Sequence, residues 1–414
     1  MKKMLFSAVA FAVVAVSAVA VAPTTSEAIP AFARQTGAAC LSCHFQTFPA
    51  LTAFGRSFKQ GAFTDVGEQA LIEDDALSIP SVLNATIVFR PVISSTKVTA
   101  TPAAKSITYA DQVVLIGGRL GANAGAFVEL GGGAFGNHQL ITSFDLGGVK
   151  AGVSYYNTGF GENVGMQLQN GWGQHGGGLG SGGMRYSSAN NNMYSKANAL
   201  GVKQIAGLTA HVITDMFTVQ GGLIAPSLDA ATFGGAAGAN NFGTTFTAAK
   251  MVRADGFFDL GGLNLGVGGI FVTGNVGDLT NSAGVAAIAG TQLEMKRWGV
   301  DAQLEGEIGD ASFGLYADYA SAGKSTASKS NWYNLNTVNT RNAFGIHATV
   351  KPMHALILGV GYGEDKVGTA KTKYTHANLE YEIYQNFVIA LAYEIQKLGA
   401  TKTTTTTLDI EALL

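Results

Sequence analysis

From about Pro80 to the end of the chain, apolar and polar residues alternate with a period of two, in segments punctuated by Gly, Asn and Asp. The clearest segment runs from Trp298 to Ile308. Trp298, Val300, Ala302, Leu304 and Ile308 fall on one face, and Asp301, Gln303, Glu305 and Glu307 on the other. Gly309-Asp310 reads as a turn, after which Phe313, Leu315, Ala317 and Tyr319 repeat the apolar face opposite Ser312, Tyr316 and Asp318. Later hairpins pair Phe344–Val350 with Leu356–Tyr362, and Ala377–Ile383 with Phe387–Ile395 across Gln385-Asn386. Successive side chains of a strand point to opposite faces. Repeated segments of about ten residues, apolar on one face and polar on the other, are the signature of an outer-membrane barrel. At roughly 20 residues per strand and turn, residues 80–414 predict a transmembrane antiparallel β-barrel of about 16 strands. The alternating stretch 407–414 would close it, without the terminal aromatic common in such proteins.

Composition narrows the picture. Only 13% of the residues are charged, against 47% hydrophobic, and there are 55 glycines. Soluble β-sandwiches also alternate, but typical soluble domains carry charge near 25%. The formal charge of −2 gives no basic face, so nucleic acid is excluded as a partner. The glycine runs 131–133 and 176–178 lack the strand–loop–helix setting of a nucleotide site.

The amino terminus has the layout of an export signal. Lys2 and Lys3 precede an apolar stretch from Met4 to about Ala22, and Ser26-Glu27-Ala28 is a small-x-small cleavage site. Residues 1–28 are therefore assigned to a cleaved signal peptide. Residues 29–79 form a monohaem cytochrome c segment with its linker, because Cys40-Leu41-Ser42-Cys43-His44 is C-x-x-C-H. That spacing lets two thiols add to haem vinyl groups while the adjacent imidazole lies under the iron. The alternatives are a disulfide or a redox C-x-x-C. The second needs a βαβ setting that the sequence does not show. Phe32, Phe45, Phe48, Phe54 and Phe58 could cover a porphyrin. Arg34, Arg56 and Lys59 could pair with its propionates.

Two further sets complete the expectations. The Gly- and Asn-rich insertion 160–196 holds Met166, His175, Met184 and Met193, candidate distal haem ligands, beside His138, His211, His347 and His376 elsewhere. Asp301, Glu305, Glu307, Asp318, Glu380 and Glu382 (with Glu394) fall on polar strand faces. They form either a cation-attracting lumen or ordinary porin lining with basic partners such as Arg119, Arg253 or Lys250.

The run Pro30-Ala31-Phe32-Ala33-Arg34-Gln35-Thr36-Gly37, with Cys40-x-x-Cys43-His44, Phe48-Pro49-x-Leu51, Phe54-Gly55-Arg56 and Phe58-Lys59, resembles the fused monohaem cytochrome–porins. The best-known members of that family are outer-membrane iron oxidases of Fe(II)-oxidising bacteria. The match is specific over about thirty residues. It implies one covalent haem c on Cys40 and Cys43, with His44 as proximal ligand, in a barrel embedded in outer-membrane lipid. It further implies an Fe(II):cytochrome c oxidoreductase, in which extracellular Fe(II) reduces the haem at the outer surface and a periplasmic cytochrome c takes the electron. Relatives with the same segment and another redox partner fit too, as does a diffusion porin with a haem-stapled plug.

Overall fold

The computed structural model describes residues 30–46, 50–67, 69–75, 77–131, 134–158, 205–226, 247–278, 292–334 and 336–414. Three short helices open it: α1 (Pro30–Thr36), α2 (Cys40–Cys43) and α3 (Ala53–Gln60). A small hairpin follows, β1 (Leu71–Glu73) with β2 (Ser78–Pro80). The next strands are β3 (Ala85–Val98), β4 (Ala104–Gly121), β5 (Ala124–Gly131), β6 (Ala134–Thr142), β7 (Phe144–Asp145) and β8 (Lys150–Thr158). Then come β9 (Ile205–Ile213), β10 (Phe217–Pro226), β11 (Ala249–Asp259), β12 (Leu263–Asp278), β13 (Gln292–Ile308) and β14 (Ala311–Ala322). The last six are β15 (Lys329–Asn331), β16 (Arg341–Met353), β17 (Leu356–Val367), β18 (Ala370–Tyr384), β19 (Phe387–Leu398) and β20 (Thr401–Leu413).

β3 to β20 form one closed sheet. Of its eighteen segments, β7 continues the line of β6 and β15 is a three-residue piece of loop, which leaves sixteen wall strands. β20 closes on β3 with Leu413 opposite Val88 and Leu408 opposite Ile93, so the carboxyl-terminal stretch does what its alternation predicts. The wall is inside out relative to a soluble protein. On β13, Trp298 and Val300 are 44% and 48% exposed, whereas Gln303 and Glu305 are 6% and 2% exposed. The apolar face is the one that lipid would cover, and the polar face looks into the lumen. Among the described residues no helix is long and apolar enough to cross a membrane.

The two ends differ. At one end the strands are joined by short turns, such as Ala122-Asn123, Gly309-Asp310 and Gln385-Asn386, and Gly309 takes the left-handed φ of 62° that this turn requires. The other end carries the long connections, 159–204, 227–248, 279–291 and 323–340. Short turns face the periplasm and long loops the exterior in barrels of this kind.

Residues 30–80 dock at the short-turn end. Gln60 Nε2 donates to Thr218 Oγ1 at 3.0 Å, and the Ala31 amide to Thr86 Oγ1 at 2.9 Å. Gln46 Nε2 donates to the Ser312 carbonyl at 2.9 Å. Thr86, Thr218 and Ser312 all lie within two residues of a strand start at that end. The sequence leaves open the end at which the C-x-x-C-H segment rests. Its polar anchors place it at the short-turn end.

Towards the long loops, one side of the lumen is apolar. Tyr156, Ile224, Met251, Ile270, Val272, Leu293 and Met295 pack with Trp332 and Tyr333. The segment carrying those two aromatics folds inward because Asn331 and Asn334 side chains take over backbone partners. Asn331 Nδ2 donates to the Lys296 and Gly323 carbonyls at 2.9 and 2.7 Å, and Asn334 Nδ2 to that of Asn339 at 2.9 Å.

Candidate functional site

The motif folds as a single helical turn. Cys40 and Cys43 bracket α2, and His44 follows as its carboxyl-terminal cap, with its amide bonded to the Cys40 carbonyl at 2.8 Å. All three are buried, and no disulfide joins the cysteines. Helix α3 closes over this turn. Thr52 caps α3 by accepting from the Gly55 amide at 3.2 Å, and its hydroxyl donates to the Ser42 carbonyl at 2.6 Å. Gly55 lies so close to the Cys43 carbonyl that any Cβ there would overlap it.

The His44 imidazole is oriented. Its Nδ1 lies 3.2 Å from the Ala50 carbonyl, which also accepts from the Phe45 amide at 2.9 Å. A carbonyl accepts only if Nδ1 carries the proton, which makes Nε2 the lone-pair nitrogen. Metal-binding histidines are commonly held in this way. Burial, and to a lesser extent Asp65, pushes the Cys43 thiol up to about 11. A redox or nucleophilic C-x-x-C relies on a lowered thiol pKa, and at Cys43 the shift runs the other way. Two thiols on one turn and an oriented imidazole next to them fit a covalently attached haem.

The segment is clamped on either side of the motif. Thr349 Oγ1 donates to Gln46 Oε1 at 2.7 Å, and Lys351 Nζ to the Gln46 carbonyl at 2.8 Å. Gln35, fully buried, donates to the Phe63 and Asp65 carbonyls at 2.6 and 2.7 Å and accepts from Asn84 Nδ2 at 2.9 Å. Neither glutamine stands out in the sequence, because amides at such spacing carry no motif. Gln35 does sit in the stretch that carries the family resemblance.

The predicted haem-covering aromatics divide. Phe32 and Phe58 pack on each other at 5.2 Å between centroids, and Phe32 stacks on Phe63 at 5.1 Å and meets Phe127 of the wall at 5.8 Å. They fasten the segment to the barrel, where Gly117 leaves room for the Phe32 ring. Phe45 is half-buried, Phe54 is exposed, and Phe48 lies outside the described residues. Of the basic candidates, Arg34 reaches the Ala85 carbonyl. Arg56 is buried, donates to the Leu51 carbonyl at 2.9 Å, and lies 4.0 Å over the Phe257 ring.

The lumen carboxylates are held by neighbours. Asp301 pairs with Arg253, which also holds Asp255 at 2.5 Å. Glu382 pairs with Lys351 at 2.5 Å, and Glu305 accepts from Tyr316 Oη at 2.8 Å. Asp318 lies opposite Asp301 in the sheet register. Glu380 is fully buried, while Glu307 is exposed beside the Gly309-Asp310 turn. At Asp301 and Glu382 the geometry favours the paired lining over a bare negative field. Among the described residues, no three of His, Cys, Asp and Glu gather as a metal ion would need.

Met166, His175, Met184 and Met193 lie outside the described residues. His211, His347 and His376 are buried on the lumen side, and His138 is half-buried on β6. The His347 ring lies 4.7 Å from that of Tyr316. His376 extends over Gly361 towards His347.

No protein-family model and no curated protein matches the chain. Among solved structures it is similar to the outer-membrane-expressed OmpT of Vibrio cholerae, with 11% identity, a TM-score of 0.50, and 83% of this chain and 100% of that chain covered. A loop L8 deletion mutant of OmpT gives 13% identity and a TM-score of 0.49 over 80% of this chain and 99% of that one. A BenF-like porin from Pseudomonas fluorescens gives 12% and 0.43 over 83% and 100%. At 11% identity the likeness to the outer-membrane-expressed OmpT shows the fold alone, an outer-membrane β-barrel.

Proposed function

We propose that the chain is an outer-membrane electron-transfer protein. Cys40 and Cys43 hold one covalent haem c, and His44 Nε2 is the proximal ligand. The donor is extracellular Fe(II), and a periplasmic cytochrome c takes the electron. The observation that carries this reading is the oriented imidazole, with Nδ1 turned to the Ala50 carbonyl, directly after two buried thiols on one helical turn. A haem bound there would supply one-electron exchange, at a potential set by its ligands and burial.

The chain's own residues do the rest. Thr52 and Gly55 fix α3 against the motif. Gln35 and Gln46 tie the segment to the wall at the short-turn end, the side that faces the periplasm. An outside donor therefore has to enter the lumen, while the acceptor meets the segment from the periplasm without crossing lipid.

The test is a visible spectrum of intact cells making the protein with c-type haem maturation, before and after Fe(II). Reduced haem bands that rise with Fe(II) and are missing in Cys40→Ala support the reading. A haem that dithionite reduces and Fe(II) does not would replace Fe(II) with another donor.

A further inference from the structure

The long-loop end carries a lysine row that neither haem nor passage explains. In the sheet register Lys373 of β18 lies opposite Lys397 of β19, and Lys397 opposite Lys402 of β20. On the neighbouring strand Lys366 lies opposite Lys371. Strand parity puts all five on the lipid side. Tyr374 and His376 look into the lumen, so Lys371 and Lys373 look out. All five are exposed. Lys97 of β3 and Lys105 of β4, on the adjoining strands, are exposed as well.

Like charges directly opposite each other on a sheet destabilise it, and here the arrangement occurs three times on four adjacent strands. In this group the ion pair is Lys371 with Glu364, at 2.8 Å. One carboxylate cannot balance five ammonium groups. Strands are spaced about 4.8 Å apart, so three ammonium groups can close on one polyanionic headgroup, and lysine is a point-charge phosphate binder. Below the row the same strands present the apolar side chains Tyr393 and Leu391 outward. The row therefore sits at the upper edge of the lipid-facing surface, at headgroup level.

We propose that Lys373, Lys397 and Lys402, flanked by Lys366 and Lys371, form a binding surface for a phosphate-bearing lipid headgroup of the outer leaflet. The inference rests on the outer-membrane orientation and is independent of the haem.

The probe is bisphosphorylated lipid A, offered to the full-length protein in detergent and followed by native mass spectrometry. A barrel that still migrates as a folded, heat-modifiable species certifies each variant. Wild type should retain the lipid, and the triple variant Lys373→Gln, Lys397→Gln, Lys402→Gln should retain at least about tenfold less, with retention falling as salt rises. Lys150→Gln, at the other end, should retain it like wild type. Equal retention by the triple variant, or equal retention of dephosphorylated lipid A, would overturn the proposal. Inorganic pyrophosphate binding as tightly as the lipid would overturn the lipid assignment in favour of a soluble phosphate.

Discussion

The two ends of this barrel are built from the same hairpins and do opposite things. At the short-turn end, exposed carboxylates such as Asp145, Asp215, Asp259 and Asp310 lie around the docked C-x-x-C-H segment, which carries Asp65 and Asp74 and is held by side-chain amides. At the long-loop end the exposed charges on β17 to β20 are lysines, and the lumen inside is lined by Met251, Met295, Leu293 and Trp332. The wall pattern is indifferent to this polarity, since alternation decides only which face meets lipid. Direction comes from the loops, the rim charges and the docked segment.

That contrast can be broken from either side, and the largest effect is expected at Trp332. It is fully buried among the apolar lumen residues. Trp332→Ala should cost about 3–5 kcal/mol, confined to the long-loop half. Ion conductance in planar bilayers should rise while haem content stays at the wild-type level. Equal conductance would mean that the apolar cluster does not narrow the passage.

The second effect belongs to the short-turn end and follows pH. Cys43 is raised from 9.0 to about 11 in the folded chain. A raised folded pKa stabilises fully below the unfolded value and is lost as pH climbs through the folded one. Protein made without haem maturation should therefore loosen its segment as pH rises from 9 to about 11. Limited proteolysis of residues 30–80 at those two pH values measures it. Protein with both sulfurs in thioethers should show no such step, since it has no thiol to ionise.

The smallest effect is at the rim. Lys371 is 44% exposed on its side chain and pairs with Glu364 at 2.8 Å. Lys371→Ala should leave the thermal unfolding of the barrel indistinguishable from wild type, because an exposed ion pair contributes little. A clear loss in thermal unfolding would make the rim lysines part of the fold rather than a surface for a ligand.

How much of this was legible in the sequence follows from where the information lies. Lipid-facing and lumen-facing positions on β13, the Gly309-Asp310 turn and closure through residues 407–414 are local, period-two statements, and the wall follows from them. The C-x-x-C-H spacing, with its single helical turn, is local too. The docking site is not local. Gln46 meets Ser312, Thr349 and Lys351 across more than 250 residues of chain, and no spacing rule reports that. Phe32 and Phe58 were legible as aromatics near the motif, but their partner Phe127 sits on β5 and is known only once the segment enters the barrel. The inward turn at Trp332 had a faint signal, an Asn-Trp-Tyr-Asn run whose amide side chains can replace backbone partners.

The central claim is that this docked turn holds haem through both sulfurs and His44. The most direct measurement is the intact mass and visible spectrum of the purified protein, made with c-type haem maturation, together with peptide mapping of residues 30–60. The account predicts the mass of one haem added at Cys40 and Cys43, and a shift or loss of the native haem bands in His44→Ala while the barrel remains folded. An unmodified mass with a Cys40–Cys43 disulfide, or a native spectrum that survives His44→Ala, would contradict it.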